Sequence, residues 1–282
     1  MPINKSSRLL VNVVGGPAII ALIVAGDSFF SIPLFSIFIL LVMFIAVSEI
    51  KNLVVDPLMP LAMPITYISI FLLQLLRYVN QHHLILPLLI ILILFSMILE
   101  LAIKSKYHMQ NLALIVFIFA WIGIGFGSIV DIRAMGSDGL SMVLTIFFGV
   151  WVCDSAAYIL GKKLGKRKIA QTISPNKTWA GSISGFIGVF LLLIIFHMYD
   201  VLSMNTILNS SFIHLIGFSV VIGVGSQIGD LVESMFKRDA SIKDTGTILM
   251  GHGGVLDRFD SLLFVVPMMW VYIKFILGYS YL

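Results

Sequence analysis

Residues 84–103 read LILPLLIILILFSMILELAI, twenty consecutive positions with a single charged side chain, Glu100. A helix of that length rises about 30 Å, the thickness of a bilayer's hydrocarbon core. No face of it is polar enough to meet water, so the reading it forces is a membrane-spanning helix. The chain around it repeats the pattern: of 282 residues 59% are hydrophobic and 11% charged. A water-soluble fold could not hide so much apolar surface.

The apolar runs place spans at Leu9–Ala25, Phe30–Val47, Leu58–Leu76, Leu84–Ile103, Leu112–Val130, Leu140–Leu160, Thr178–Met198, Phe212–Gly229 and Ser261–Tyr281. The expectation is an all-α polytopic integral membrane protein of about nine transmembrane helices. The first run lacks a small-residue cleavage site and is expected to stay in the chain. Nine spans put the termini on opposite sides. With the N-terminus in the cytoplasm, inside segments carry fifteen Lys and Arg residues and outside segments two, Arg77 and Arg133. That asymmetry predicts an N-terminus inside and a C-terminus outside.

Cations gathered on one face suit anionic head groups of membrane lipids, and the net charge of +4 reflects this topology rather than nucleic-acid binding. Cys153, alone in an apolar span, excludes an intramolecular disulfide. Small residues gather in Trp121–Ser128 and Ala180–Gly188, where membrane helices approach closely; a homodimer seam is the alternative. In the N-terminal half, residues 1–135, the polar positions read as structural, including Glu49 and Lys51 at the end of the second span. His82 and His83 are adjacent, share no helix face and read as an exposed loop.

Polar chemistry concentrates in residues 136–282, on two cytoplasmic loops, 161–177 and 230–260. The second contains SMFKRDASIKDTGTILMGHGGVLDRFD, residues 234–260. It holds Lys237, Arg238, Lys243 and Arg258 against Asp239, Asp244, Asp257 and Asp260, with His252 on a glycine-rich turn. Asp257 and Asp260 share a face if helical, as do Asp230 and Glu233, and paired carboxylates suit a hard cation such as Mg²⁺. Lys and Arg supply charge-assisted bonds to phosphate oxygens. The bare backbone of Gly251, Gly253 and Gly254 lets N–H groups approach an anion. Asp154 lies within an apolar span, a costly place for a carboxylate without a function. Ser174, Asn176, Lys177 and Thr178 are expected at a helix start, where hydroxyls, an ammonium and free N–H groups seat phosphate; an ordinary N-cap with flanking charge explains them equally.

The pattern Ser234, Lys237, Arg238, Lys243, Asp244 and Gly246, followed by His252, Gly253, Gly254, Asp257, Arg258 and Asp260, resembles the signature of the phosphatidate cytidylyltransferases, or CDP-diacylglycerol synthases. Asp154–Tyr158 and Ser174–Thr178 are similar to two further segments of that family. The resemblance covers the C-terminal half; the N-terminal half shares only its hydropathy. It implies a membrane enzyme that joins CTP to phosphatidic acid, giving CDP-diacylglycerol and pyrophosphate in phospholipid biosynthesis. Further implied are Mg²⁺ on Asp230, Asp257 and Asp260, K⁺ as a second ion, and an active site on the cytoplasmic face of a bacterial inner membrane. Catalytic roles then fall on Asp230, Lys237, Lys243, Asp257 and Asp260. Substrate contacts fall on Asp154, Ser174, Asn176, Lys177, Thr178, Ser234, Arg238, Asp244, His252, Gly253, Gly254 and Arg258. Met250, Ala180 and Ala156 depart from the family's usual residues, which admits a different lipid acceptor. Another CTP-dependent lipid enzyme, such as a polyprenol kinase or an archaeal-type CDP-lipid synthase, is the nearest rival reading. A transporter is the more distant one, since it too carries intramembrane carboxylates.

Overall fold

The computed structural model describes residues 5–26, 33–54, 62–102, 107–204, 211–248 and 253–279. These form helices α1 (Lys5–Ala25), α2 (Leu34–Ile50), α3 (Ala62–Tyr78), α4 (Ile85–Leu101), α5 (His108–Arg133) and α6 (Gly136–Leu164). A hairpin of β1 (Lys168–Ala170) and β2 (Ser174–Thr178) follows, then α7 (Trp179–Met198), α8 (Phe212–Asp239), the one-turn α9 (Leu256–Phe259) and α10 (Leu262–Ile276). Of the expected site residues, His252 lies outside the described residues, as do Met250 and Gly251 of the same glycine-rich turn.

Five of these helices are long and apolar enough to cross a membrane: the run from His82 through α4, α5, α6 from Asp138, α7 and α8. Four shorter apolar helices, parts of α1 and α3 together with α2 and α10, fall in the remaining predicted spans. On α4, Leu86, Ile90, Ile91, Leu94 and Ile98 are all exposed, a face that a protein in water would bury and a bilayer covers.

Inside, α6, α7, α8 and α10 pack as one group, and α5 joins them to α2 and α3. Phe35, Phe119, Phe126, Phe147 and Phe218 are its largest fully buried side chains. The small-residue run at the start of α7 packs against α6, as expected: a Cβ on Gly185 would stand 3.0 Å from the Cys153 carbonyl and one on Gly188 3.0 Å from Ala156.

Arg77 departs from its expected place on an outer loop. It is buried near the end of α3, where Nε meets Asp131 Oδ2 of α5 at 3.2 Å. Its Nη1 and Nη2 donate to the carbonyls of Gly123 and Ile124 at 2.7 and 2.8 Å. Those carbonyls lie in a stretch of α5, Phe119–Phe126, wound as a π-helix, the kind of local widening that accepts side-chain donors.

Two boundaries on the polar side also differ from expectation. The eighth span, expected to end at Gly229, continues as helix to Asp239. Side chains four apart hold the extension: Ser234 Oγ donates to Asp230 Oδ1 at 3.2 Å, and Lys237 Nζ to Glu233 Oε2 at 2.5 Å. It stops in a Schellman turn, with Ile242 N–H on the Lys237 carbonyl, Ser241 N–H on that of Arg238, and Ser241 at φ 56°. Residues 174–178, expected at a helix start with Lys177 and Thr178 in the first turn, are instead a β-strand, and Thr178 at its end is the N-cap of α7.

Candidate active site

Asp230 sits on α8 at the level where α10 begins, and Gly229 explains the closeness. A Cβ there would stand 2.7 Å from the Asp260 carbonyl and 3.0 Å from Ser261 Cα, so only glycine lets the two segments touch. The contact brings Asp230 and Asp260 into electrostatic interaction, and Asp154 of α6 interacts with both. Two helices and the turn between α9 and α10 thus bring three carboxylates into one region. Lys177 of β2 answers them, with Nζ 2.7 Å from Asp230 Oδ2 and 3.4 Å from the Gln227 carbonyl. Crowding by protein pushes the Asp260 carboxyl above its ordinary range, and the charge of Asp230 adds to the rise.

A second group lies along the same helix face. Lys237 Nζ meets Glu233 Oε2 at 2.5 Å and Asp257 Oδ1 at 2.7 Å. The other oxygen of Asp257 accepts from Thr245 N–H at 2.8 Å, Thr245 Oγ1 at 2.9 Å and Gly254 N–H at 2.7 Å. Burial alone would raise the Asp257 pKa, but these donors outweigh it and hold the carboxyl below its ordinary value. The anion met by the Gly254 N–H is therefore the chain's own Asp257.

Glu233 is fully buried, and its Oε1 has no hydrogen-bond partner. Among the described residues no three His, Cys, Asp or Glu side chains close around one point as a ready cation cage. The donor set still fits a hard divalent ion: Asp154, Asp230 and Asp260 repel one another with two nearby ammonium groups, Lys177 and Lys237, and Glu233 holds an orphaned oxygen close to Asp260.

The remaining expected residues spread around this centre. Arg238 donates Nε to the Ile173 carbonyl at 3.1 Å, tying α8 to the hairpin beside Ser174. Thr178 uses its hydroxyl to accept from Gly181 N–H at 3.2 Å, capping α7. Ser234 is buried and orients Asp230. Asn176, Lys243, Asp244 and Arg258 are exposed, Ser174 is half-buried, and Gly253 is buried at φ 82°.

Two contributors escape a reading of the sequence. Gln227 lies between α7 and α8, donating to the Ser182 and Gly223 carbonyls at 2.8 and 2.9 Å, with Ser182 Oγ on its Oε1. Glu49, expected only as a helix end, contacts the polar loop directly. A lone carboxylate in the last turn of a strongly apolar helix is the available signal for it.

A helical bundle with five helices long and apolar enough to cross a membrane, and with Asp, Lys and Arg gathered in one region, is that of a membrane protein. The profile of the cytidylyltransferase family matches residues 6–276, and the chain belongs to that family. It is 40% identical over 166 residues to the phosphatidate cytidylyltransferase of Staphylococcus epidermidis (strain RP62A), and over the same length to that of Staphylococcus haemolyticus. Identity is again 40% over 167 residues with the Staphylococcus aureus (strain COL) protein of the same name. Each match covers 59% of this chain and 60% of the relative's own length.

Proposed function

We propose that the protein is a phosphatidate cytidylyltransferase: it transfers CMP from CTP to phosphatidic acid, releasing pyrophosphate and leaving CDP-diacylglycerol in the membrane. The observation that carries this reading is the convergence of Asp154 of α6, Asp230 of α8 and Asp260 of the turn before α10 beside Lys177. Membership of the cytidylyltransferase family and the names of the relatives support it.

In the proposed reaction a phosphate oxygen of phosphatidic acid attacks the α-phosphorus of CTP. The new P–O bond forms as the bond to the β-phosphate bridging oxygen breaks, and the electron pair leaves with pyrophosphate. A phosphomonoester is already anionic near neutral pH, so the site's task is to bring two polyanions together rather than to remove a proton. Asp230 and Asp260 would hold Mg²⁺, and Asp154 interacts electrostatically with both. Asp257, whose two oxygens are engaged by Lys237, Thr245 and Gly254, joins them through the turn it shares with Asp260. When bound, the ion supplies neutralisation of phosphate charge. Lys177, paired with Asp230, and Lys237, paired with Glu233 and Asp257, would receive phosphate oxygens. Arg238, Lys243 and Arg258 line the rim by which CTP enters.

The topology that suits this chemistry has nine spans, the N-terminus in the cytoplasm and the site at the cytoplasmic membrane edge, where a soluble nucleotide and an embedded lipid meet. One assay tests the function. Purified protein with phosphatidic acid, Mg²⁺ and α-labelled CTP is expected to move label into the lipid phase. Label that enters lipid only from the γ-position identifies a lipid kinase and overturns the proposal.

A further inference from the structure

The C-terminal end of α2 reaches into the polar loop. Glu49, 3% exposed and in the last turn of α2, accepts from Val255 N–H at Oε1 (2.9 Å) and from Leu256 N–H at Oε2 (2.7 Å). The Thr245 hydroxyl lies 3.2 Å from the same Oε2 and 2.9 Å from Asp257 Oδ2. A hydroxyl has one proton, so Thr245 donates to one carboxylate while held between both. Asn52, just past α2, donates Nδ2 to the Thr245 carbonyl at 2.7 Å. Glycine is what admits the carboxylate: a Cβ on Gly246 or on Gly254 would collide with the oxygens of Glu49.

Burying a carboxylate is costly, and an apolar side chain would pack α2 against its neighbours at lower cost. What a carboxylate adds is direction. Its two oxygens grip two consecutive N–H groups at the entry to α9, the turn that carries Asp257 and leads into Asp260. A single contact would leave that turn free to rotate; the two-point grip fixes its angle.

We infer that Glu49 is the positioning residue of the catalytic loop, setting from the N-terminal half the direction in which Asp257 and Asp260 present their carboxylates. The inference rests on the proposed cytidylyltransferase reading of that loop. Glu49 touches no reacting atom; it acts through the backbone of Val255 and Leu256.

The test compares the full-length wild-type protein with Glu49→Gln, Glu49→Asp and Asn52→Ala, each by amide hydrogen exchange and by steady-state kinetics. Gln keeps the shape of Glu but turns one acceptor into an NH₂ group that faces an N–H donor, leaving buried donors unmet. Glu49→Gln is expected to speed exchange at residues 245–248 and 253–260 about tenfold while α6 and α7 keep wild-type protection. Its kcat is expected to fall about tenfold to a hundredfold, with KM for CTP within about threefold of wild type, as for a misplaced catalytic group. Glu49→Asp keeps two acceptors and is expected to recover part of both effects, and Asn52→Ala to show a weaker version of them. Wild-type loop exchange together with wild-type kcat in Glu49→Gln overturns the inference. So does loss of protection spread through α6 and α7 in both Glu49 variants, which makes Glu49 an anchor of the whole fold. A wild-type protein that makes no CDP-diacylglycerol sinks the functional proposal instead, and the exchange comparison still decides what Glu49 holds.

Discussion

Lys177 Nζ stands 2.7 Å from Asp230 Oδ2, joining the strand before α7 to the carboxylate row on α8. The pair is partly accessible, at 23% and 36% for the two side chains, so it faces an opening rather than a sealed core. A fixed ammonium at such a mouth serves an incoming phosphate as readily as it serves Asp230.

Lys177→Ala is therefore predicted to lower kcat/KM for CTP by about a hundredfold, the scale of losing one preorganised donor at a transition state. Lys177→Arg should restore part of that loss. Steady-state kinetics at limiting CTP checks it, and an unchanged kcat/KM in Lys177→Ala returns the residue to a structural role.

Asp230→Asn and Asp260→Asn each keep side-chain shape and remove a charge. Activity is predicted to fall by about two to three orders of magnitude, the size of a lost metal contribution. Without divalent ions, Asp260→Asn is expected to melt no lower than wild type, because it relieves repulsion among Asp154, Asp230 and Asp260. Wild type should gain thermal stability on adding Mg²⁺ and this variant much less. Equal Mg²⁺-dependent shifts in the two proteins would refute the assignment.

Asp257 should behave differently from its neighbours. Its carboxyl is held below the ordinary value of 3.8, so its contribution to stability is present above that pH and is lost as pH falls through the lowered folded value. Asp257→Asn is predicted to lose that contribution at every pH, since the amide turns a donor toward Lys237 or the Thr245 and Gly254 N–H groups. Thermal melts from about pH 3 to 7 should show the variant's deficit shrinking only at the acid end. A deficit constant with pH refutes this account.

Gly229→Ala places a methyl group 2.7 Å from the Asp260 carbonyl. The prediction is a loss of activity of about a hundredfold from misplacement on the order of 1 Å, with the protein still inserted and helical. Kinetics and circular dichroism together check it; normal turnover would show that the Asp230–Asp260 approach is not needed.

Much of this is legible in the chain. Apolar runs as long as 84–103 admit one reading, and helix exists in each predicted span. Boundaries are less legible where polar residues support each other locally: Glu233 and Lys237 extend α8 through an i, i+4 pair that hydropathy counts as the end of a span. Thr178 falls on the expected side of the α7 boundary and Lys177 does not, because strand pairing with residues 168–170 is a tertiary outcome. The acidic residues of the site are visible as out-of-place charges. Their grouping is not, since Asp154 and Asp230 meet only through helix packing. Glu49 is hidden for the same reason, being about two hundred positions from the amides it holds.

The Arg77–Asp131 contact has a bearing on how the protein is made. Its two charges belong to α3 and α5, and synthesis delivers α3 to the bilayer first. Until α5 arrives, the guanidinium has Gln74 Oε1 of its own helix at 3.0 Å but neither Asp131 nor the carbonyls of Gly123 and Ile124, and an arginine left unpaired costs up to about 3 kcal/mol, the figure for a helix centre. The third helix is thus a conditional passenger, retained only once the fifth is beside it. A nascent chain truncated at residue 102 is expected to hold α3 poorly, and Arg77→Leu to make the same truncated chain insert well. Protease protection of α3 reads the difference, and equal protection of both truncated chains would show that insertion does not wait for α5.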